Sequence, residues 1–426
     1  MRKVLVVAYY FPPMGLSGVQ RTLKFVKYLP EHGWHPLVLT TNSPAYYAYD
    51  DTMLDELDSE NITIYRTDED ITKYAKKRKK KGNTTLKYPS RANQVIRRAL
   101  LATVFQPDSR ILWKKSALKT AEKIIEENEI EAIYATAPPF TDFLVAHELA
   151  EKYNLPFIVD YRDLWVDNAF YIYPTPFHRS YAMKLESRIL KKASKVIVIN
   201  RFMKEALIKR YNHITYNDIA IIPHGYDPDD FTNAQALTEQ SDKFVITHSG
   251  LFPDDLTPEY FLKGLKAFLD KNPNAKNVVE ARFIGILRKE HLKLIEKLDL
   301  QKVCKLTGYI PHSDAVENLM ESDVLWMMIT NNIATPSRMY EYFGAGKAMI
   351  VCAPEGNIRD LADSSGAAYT CGVKDVASIA YGIEQYYQLW KHKKLPSVDA
   401  EFAQQFDRKS LTGELSRELM LSLSNS

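Results

Sequence analysis

The stretch KVLVVAY at positions 3–9, followed by the glycine loop GLSGVQR at 15–21, decides the fold. The first stretch is a continuous run of aliphatic, β-branched and aromatic residues, which is typical of a buried parallel strand. Apolar residues then recur at helical spacing over 19–29, and positions 36–40 have the composition of a second strand. A strand, a glycine loop, a helix and a strand in this order predict a βαβ unit.

The same alternation of strands and helices fills two stretches of the chain. It stops in the polar, acidic segment 227–242, which reads as a linker, and starts again with a strand at 244–248. A single hydrophobic core rarely grows beyond about 250–300 residues, so the length also favours two domains. We therefore predict an α/β fold of two Rossmann-like, doubly wound domains, 1–230 and 243–404, facing a central cleft. A tail helix at 405–426 is expected to pack back on the first domain.

The composition excludes several classes of protein. Hydrophobic residues make up 46% and charged residues 26% of the chain, which is ordinary for a soluble protein. The net charge of +3 is too small to indicate a nucleic-acid partner. No stretch approaches the roughly 20 apolar residues of a membrane-spanning helix. The apolar start is followed by Pro12 and Pro13 where a signal peptide would be cleaved. We therefore expect a cytoplasmic protein.

Several motifs occur in a characteristic order along nearly the whole chain. They are VAYYFPPMGLSGVQR at 7–21, FIVDYRDLW at 157–165, IAIIPHGYDPDDF at 219–231, LTGYIPHSD at 306–314 and PSRMYEYFGAGKAMIV at 336–351. With them the chain resembles the retaining glycosyltransferases of family 4, which have the GT-B fold. The resemblance implies that a sugar passes from a nucleotide-sugar donor to an acceptor hydroxyl with its anomeric configuration retained. It also implies no cofactor and no bound metal, a donor site in the second domain and an acceptor site mostly in the first.

The segment 336–347 is the first candidate for the donor site. Pro336 and Ser337 are suitable residues for a helix start, whose free N–H groups and dipole favour phosphate. The resemblance implies that Glu341, one turn later, accepts hydrogen bonds from the ribose hydroxyls of the donor. Many members of the family carry another glutamate eight positions earlier, with seven residues in between, where this chain has Ile333. An ordinary surface helix with a charged face is the alternative.

Two loops of the second domain are further candidates. The resemblance implies that Tyr309 and Ile310 contact the nucleobase, whereas a plain strand-to-helix loop explains them equally well. Family members usually place an arginine and a lysine in the loop after the strand at 244–248 to neutralise the diphosphate. Here the loop that begins at Gly250 reads GLFPDDLTPE, without a basic residue.

Three basic residues on neighbouring elements could supply the missing positive charge: Arg338, Arg288 and Lys263. Arg338 is the first choice, because a guanidinium fork suits phosphate and this residue lies at the predicted helix start. A solvated surface arginine is the alternative for that position.

The first domain offers a glycine loop with Gly15, Gly18 and Gln20. Glycines allow the backbone to approach a ligand closely, but the spacing is not the dinucleotide fingerprint, so an NAD site is not expected. The resemblance implies that this loop borders the cleft near the donor phosphates and the acceptor. A tight strand-to-helix turn explains the same residues.

The motif YRDLW at 161–165 follows a predicted strand and supplies the catalytic candidates, Arg162 and Asp163. Asp163 could orient an acceptor hydroxyl, and Trp165 could stack on a sugar ring. An internal pair of Arg162 with Asp163 that supports the loop is the alternative. The resemblance implies that the leaving phosphate itself takes the acceptor proton, so the protein contributes positioning and charge stabilisation.

The segment 73–98 holds eleven basic residues and no acidic one, and the apolar stretch ALLATVF follows at 99–105. Basic residues beside an apolar helical stretch suit an anionic membrane surface. We predict peripheral membrane contact through 73–105, in agreement with a lipid-linked acceptor. A solvated basic loop beside a buried helix is the alternative. Two other functions share the architecture: a sugar-nucleotide epimerase or hydrolase, and a non-catalytic nucleotide-sugar-binding module.

Overall fold

The computed structural model describes residues 1–15, 17–42, 48–57, 60–67, 91–168, 171–235, 242–253, 256–331 and 335–424. These residues form two compact units. The first unit comprises the described residues of 1–223 together with 408–424, and the second comprises those of 224–407. The predictions for Ile333 and for the basic residues before 91 concern positions outside the described residues.

The first unit is built on a seven-stranded parallel sheet with the order β3-β2-β1-β4-β5-β6-β7. Its strands are β1 (Arg2–Val7), β2 (Trp34–Thr41), β3 (Thr63–Thr67), β4 (Ile130–Ala137), β5 (Phe157–Tyr161), β6 (Lys195–Val198) and β7 (Ile219–Ile221). Its helices before the second unit are α1 (Gln20–Tyr28), α2 (Arg91–Val104), α3 (Lys114–Glu127), α4 (Thr141–Tyr153), α5 (Pro176–Leu190) and α6 (Arg201–Arg210). The order of the strands reverses between β1 and β4, as in a doubly wound sheet.

The second unit has a six-stranded parallel sheet with the order β10-β9-β8-β11-β12-β13. Its strands are β8 (Phe244–Ser249), β9 (Val279–Ile284), β10 (Cys304–Gly308), β11 (Val324–Met328), β12 (Ala348–Cys352) and β13 (Ala368–Cys371). Its helices are α7 (Pro228–Gln235), α8 (Glu259–Lys271), α9 (Lys289–Lys297), α10 (His312–Met320), α11 (Ser337–Ala345), α12 (Asn357–Asp363), α13 (Val376–Lys391) and α14 (Ala400–Gln404). The predicted fold class, α/β with two doubly wound parallel sheets, is confirmed.

The last helix, α15 (Arg408–Ser424), belongs to the first unit although it follows the second in sequence. Alternate residues of β1 face opposite sides of the sheet, and Val4 and Val6 share one apolar cluster with Leu411, Leu415 and Leu419 of α15. These three leucines recur every four residues and so form one stripe of the helix. The helix therefore covers one face of the first sheet.

The segment 227–242, predicted to be a linker, contains the helix α7, and its described residues belong to the second unit. The first unit accordingly ends at Pro223 instead of residue 230. Two apolar side chains at helical spacing, Phe231 and Ala234, are buried in the core of the second unit. A single pair of apolar residues in an acidic stretch is too weak a pattern to predict a helix.

Within the described part of the chain, every helix is too short or too polar to cross a lipid bilayer.

The packing of α15 gives a prediction about stability. The side chain of Leu415 is fully buried, whereas Leu421 on the same helix is exposed. Leu415→Ala should lower the free energy of unfolding by about 2–5 kcal/mol, because it leaves a cavity between helix and sheet. Leu421→Ala should change it by less than about 0.5 kcal/mol. Urea denaturation of the two full-length variants measures both values, and equal shifts would contradict the packing.

Candidate active site

The carboxyl edge of the second sheet carries most of the predicted donor residues. Strand order reverses between β8 and β11, and ligands of doubly wound sheets bind outside the carboxyl ends of the strands at such a point. The loop after β8 begins at Gly250, and the segment after β11 leads into α11, which begins at Ser337. Gly250, Ser337 and Arg338 therefore meet at the position expected for a ligand.

Three adjacent strands of this sheet end in glycines with positive φ: Gly250 (117°), Gly285 (122°) and Gly308 (71°). The N–H of Gly250 donates to the carbonyl oxygen of Ile284 over 2.7 Å, and that of Gly285 donates to Gly308 over 2.8 Å. A Cβ atom on Gly285 would lie only 2.7 Å from the Gly250 carbonyl oxygen. Both the φ values and the close approach favour glycine. The three glycines together form a stretch of backbone without side chains, which we call the glycine edge.

Arg338 lies on this glycine edge. Its Nη1 donates to Nε2 of His248 over 2.9 Å, and its Nη2 donates to the carbonyl oxygen of Leu251 over 3.3 Å. A Cβ atom on Gly250 would come within 2.9 Å of the Arg338 Cζ atom, so the guanidinium rests against the glycine. Burial lowers the pKa of Arg338, an effect that Tyr342 and Glu341 partly oppose. Among the described residues, no carboxylate forms an ion pair with this guanidinium.

His248, the partner of Arg338, was not predicted from the sequence. Its Nδ1 lies 3.1 Å from the carbonyl oxygen of Trp326, which can only accept, so Nδ1 carries the proton and Nε2 accepts from Arg338. Burial, and then the charge of Arg338, hold the pKa of His248 well below its ordinary value. The ring also stacks on Phe252 at a centroid distance of 4.3 Å. His248 is therefore a neutral, fixed acceptor.

Tyr342, also missed at the sequence level, attaches the start of α11 to the end of β8. Its hydroxyl accepts from the N–H of Ser249 over 3.0 Å and donates to the carbonyl oxygen of Trp326 over 3.2 Å. Because Tyr342 lies one turn after Arg338, this pair of hydrogen bonds fixes the part of the helix that carries the guanidinium. The only sequence signal was the position of Tyr342 on the apolar face of the predicted helix.

Glu341 is half-buried, and its Oε1 lies 3.3 Å from Nε2 of His312, the first residue of α10. The other ring nitrogen of His312 is 3.9 Å from the Asp230 carboxylate. Tyr309 and Ile310, predicted to contact the nucleobase, are half-buried in the loop between β10 and His312. The structure thus places the predicted ribose and base residues on neighbouring elements of one unit.

The other two basic candidates lie in different surroundings. Arg288 immediately precedes α9 and is buried, with its Nη1 3.9 Å from Oε1 of Glu290. Lys263 is in the second turn of α8, where it forms an ion pair with Glu259 one turn earlier. The structure does not bring Lys263 into hydrogen-bond contact with the described residues of the glycine edge. Of the three candidates, Arg338 alone lies against Gly250.

The carboxyl edge of the first sheet is organised by Arg162. Its Nη1 donates to the carbonyl oxygen of Gly18, and its Nη2 donates to that of Pro138. Gly18 precedes α1 and Pro138 follows β4, so one buried guanidinium connects the loops after β1, β4 and β5. Arg162 thus supports these loops with two of its five N–H donors, and the catalytic role predicted for it stays a prediction. The alternative, a pair with Asp163, is not formed.

Asp163 lies at the same carboxyl edge of the first sheet, directly after Arg162. Its half-buried carboxylate forms no hydrogen bond or ion pair with the residues that the structure describes. Burial raises the pKa of Asp163, and the charge of Arg162 partly offsets the shift. Trp165, by contrast, is buried in the core and stacks on Phe140 at a centroid distance of 4.8 Å. The prediction that Trp165 stacks on a sugar ring is therefore wrong.

The glycine loop of the first unit is held by its own contacts. The N–H of Gly15 donates to the Ala48 carbonyl oxygen over 3.0 Å, and the Gly18 carbonyl is taken by Arg162. Gln20 is buried, with its Nε2 3.8 Å from Sδ of Met53. The predicted ligand contact of the Gln20 side chain is not supported by this position, because the amide faces the protein interior.

A buried ion pair connects two of the motifs of the first unit. Arg21 donates from Nε and Nη2 to the two carboxylate oxygens of Asp160, each over 2.8 Å. Tyr134 donates its hydroxyl to the same carboxylate over 2.6 Å, and Arg21 also reaches the Pro223 carbonyl oxygen over 2.7 Å. The pair connects α1, β5 and the chain after β7. Its role is structural, because the Arg21 charge is balanced within the core.

Two family models match the chain and together cover most of it. The model described as Glycosyltransferase Family 4 matches residues 17–230, about half of the chain. The model described as Glycosyl transferases group 1 matches residues 229–399. A search of the curated proteins gave no match.

Several solved structures have a similar fold. HepE from Anabaena, in complex with UDP and glucose, has a TM-score of 0.67 at 15% identity, over 99% of this chain and 100% of that chain. Sucrose-phosphate synthase from Thermosynechococcus elongatus has a TM-score of 0.67 at 14% identity, over 100% of both chains. A glycosyltransferase from Rickettsia africae has a TM-score of 0.57 at 16% identity, over 100% of this chain and 96% of that chain. The chain therefore belongs to glycosyltransferase family 4, and it is a glycosyltransferase with the GT-B fold.

Proposed function

We propose that the protein is a retaining glycosyltransferase that binds the diphosphate of its sugar donor against the glycine edge and Arg338. The observation that carries the proposal is the positive charge of Arg338, which lies half-buried beside Gly250 and has no ion-pair partner among the described residues. Holding a charge away from water is unfavourable unless an opposite charge compensates it. A diphosphate supplies that charge.

The surroundings of Arg338 suit a diphosphate in two further ways. Gly250 has no side chain, so phosphate oxygens can approach the backbone closely. The first N–H groups of α11 have no side-chain cap at Pro336 and carry the positive end of the helix dipole. Arg338 would then replace the arginine and lysine that the family usually carries in the preceding loop. Arg288 would add long-range charge, and Lys263 has no direct part in the proposal.

The proposed reaction uses these groups for positioning and charge stabilisation. The bond between the anomeric carbon of the sugar and the phosphate oxygen breaks, and a bond to the acceptor oxygen forms on the same face. The acceptor proton passes to an oxygen of the leaving diphosphate. Arg338 and the start of α11 stabilise the negative charge that builds up on the leaving group, so the proposal needs neither a metal nor a cofactor. Asp163 orients the acceptor hydroxyl through a hydrogen bond.

The HepE structure contains UDP and glucose, which makes UDP-sugars the first donors to test. For the acceptor we propose a sugar hydroxyl on a lipid-linked or cell-surface polysaccharide precursor. This choice is supported by the basic residues and apolar stretch of the segment 73–105.

Charge removal at Arg338 tests the diphosphate site. Arg338→Gln should weaken UDP binding roughly 10- to 150-fold, because a charge-assisted hydrogen bond to a buried anion contributes about 1.5–3 kcal/mol. Binding of uridine, which lacks the phosphates, should stay within about 2-fold. Isothermal titration calorimetry gives both affinities, and Lys263→Gln is the matched control. Unchanged UDP affinity, or an equal loss for uridine, would reject the site.

Glu341→Ala tests the proposed ribose contact. A carboxylate can accept hydrogen bonds from both ribose hydroxyls, so the variant should weaken UDP binding about 10-fold and 2′-deoxy-UDP binding by less. Calorimetry measures the affinities of the unchanged protein and of the variant for both ligands, and these four values form a thermodynamic cycle. Additive effects of the protein and ligand changes would show that Glu341 does not contact the 2′-hydroxyl.

A turnover assay tests the reaction itself. UDP-, GDP- and ADP-sugars are incubated with lipid-linked acceptors, and the product anomer is read by NMR. We expect acceptor-dependent release of the nucleotide and a product with the configuration of the donor. Inversion would falsify the retaining mechanism, and conversion of the donor without an acceptor would favour an epimerase or hydrolase.

A further inference from the structure

Two helices of the first unit expose large apolar side chains next to each other. On α2, Leu100 and Val104 are 64% and 72% exposed, and on α5, Phe177 and Tyr181 are 85% and 51% exposed. Each pair is four residues apart and so shares one helix face. Single exposed apolar residues are ordinary, whereas a contiguous group indicates a binding surface.

The two exposed faces are neighbours in space. Nε2 of His178, in the first turn of α5, lies 3.4 Å from the carbonyl oxygen of Thr103 in the last turn of α2. Thr103 precedes Val104, and His178 follows Phe177. We call the four apolar residues, together with the exposed Lys184 and Arg188 of α5, the α2–α5 surface.

The charges of the α2–α5 surface are of one sign. Lys184 and Arg188 continue the stripe of Phe177 and Tyr181 along α5, at positions seven and eleven residues after Phe177. Neither forms an ion pair with a described residue. The only carboxylate of α5, Glu186, is buried, and the sequence of α2 has none. The whole chain is nearly balanced, with 56 basic and 53 acidic residues. The excess of positive charge is therefore specific to the α2–α5 surface.

The α2–α5 surface borders the carboxyl edge of the first sheet. The helix α5 follows the loop that leaves β5 at Arg162 and Asp163. The chain after α2 reaches the same edge at Asp108, whose carboxylate accepts the N–H of Thr141 over 3.0 Å at the start of α4. A molecule bound to this surface would therefore lie beside the proposed acceptor residues of the same unit.

We propose that the α2–α5 surface docks on an anionic lipid bilayer. Aromatic and aliphatic side chains enter the interfacial region of a membrane, where Phe177 and Tyr181 would lose contact with water. Lys184 and Arg188 would meet lipid phosphates, and each basic residue near such a surface contributes about 1 kcal/mol. A protein partner is a poorer match, because it would have to bring an acidic patch to Lys184 and Arg188, whereas an anionic bilayer presents phosphates over its whole surface. Docking itself does not depend on the proposed function. Only its purpose, access to a lipid-linked acceptor, rests on that function.

Co-sedimentation of the full chain with vesicles tests the docking. Vesicles of equal parts phosphatidylglycerol and phosphatidylcholine should bind the protein, and vesicles of phosphatidylcholine alone should bind at least about 10-fold less. Two double variants, F177S/Y181S and K184Q/R188Q, should each lower binding to the anionic vesicles about 10-fold or more. The matched controls are Tyr381→Ser and the pair K293Q/K297Q, which are exposed residues of the second unit. Equal losses in variants and controls would overturn the proposal.

A fluorescent variant tests whether the surface enters the bilayer. Phe177→Trp should show a blue-shifted emission on anionic vesicles and quenching by brominated lipids. Unshifted and unquenched emission would overturn the proposal. If sedimentation equilibrium shows self-association that both double variants abolish, the surface binds a second copy and the proposal is overturned as well. UDP affinity should be unchanged in the surface variants, so loss of docking is distinguishable from failure of the donor site.

Discussion

The hydrogen bond between Arg338 and His248 is the interaction on which the proposed donor site depends. A carboxylate in the place of His248 would also hold the guanidinium, but it would cancel its charge. A neutral imidazole fixes the direction of the guanidinium and leaves its charge for a ligand. The neutrality has a structural cause, because burial of the ring and the neighbouring charge of Arg338 both lower the pKa of His248. The site therefore keeps a positive charge in a place of low polarity, where an electrostatic interaction is strong.

Three motif arginines show how differently one side chain can be used. The charge of Arg21 is balanced by Asp160 in the core of the first unit. The two terminal nitrogens of Arg162 donate to the carbonyl oxygens of Gly18 and Pro138. Arg338 also has neutral partners, but it lies on an edge of bare glycine backbone where a ligand can reach it. Since all three stand in recognisable motifs, the motif alone does not tell a ligand-binding arginine from a structural one.

The fold was largely predictable from the sequence, because buried parallel strands are continuous apolar runs bounded by glycine loops. The prediction was wrong at α7, because only two buried apolar side chains mark this helix within an acidic segment. In the site, Gly250 and Arg338 were predictable from the strand end and the helix start. His248 was not, since a histidine inside an apolar strand gives no signal of its partner. The roles of Arg162 and Trp165 depend on contacts with residues far away in sequence, which local patterns do not contain.

The aromatic residues beneath the edge explain how the second unit can hold an unbalanced cation in place. Trp326 stacks on Phe261 with a centroid distance of 3.9 Å and contacts the ring of His248 at 4.7 Å. Its carbonyl oxygen accepts hydrogen bonds from both His248 and Tyr342. One residue of β11 thus fixes the acceptor of Arg338 and the helix that bears Arg338. Because these partners are packed in the core, the guanidinium is oriented before any ligand arrives, and binding loses little side-chain entropy.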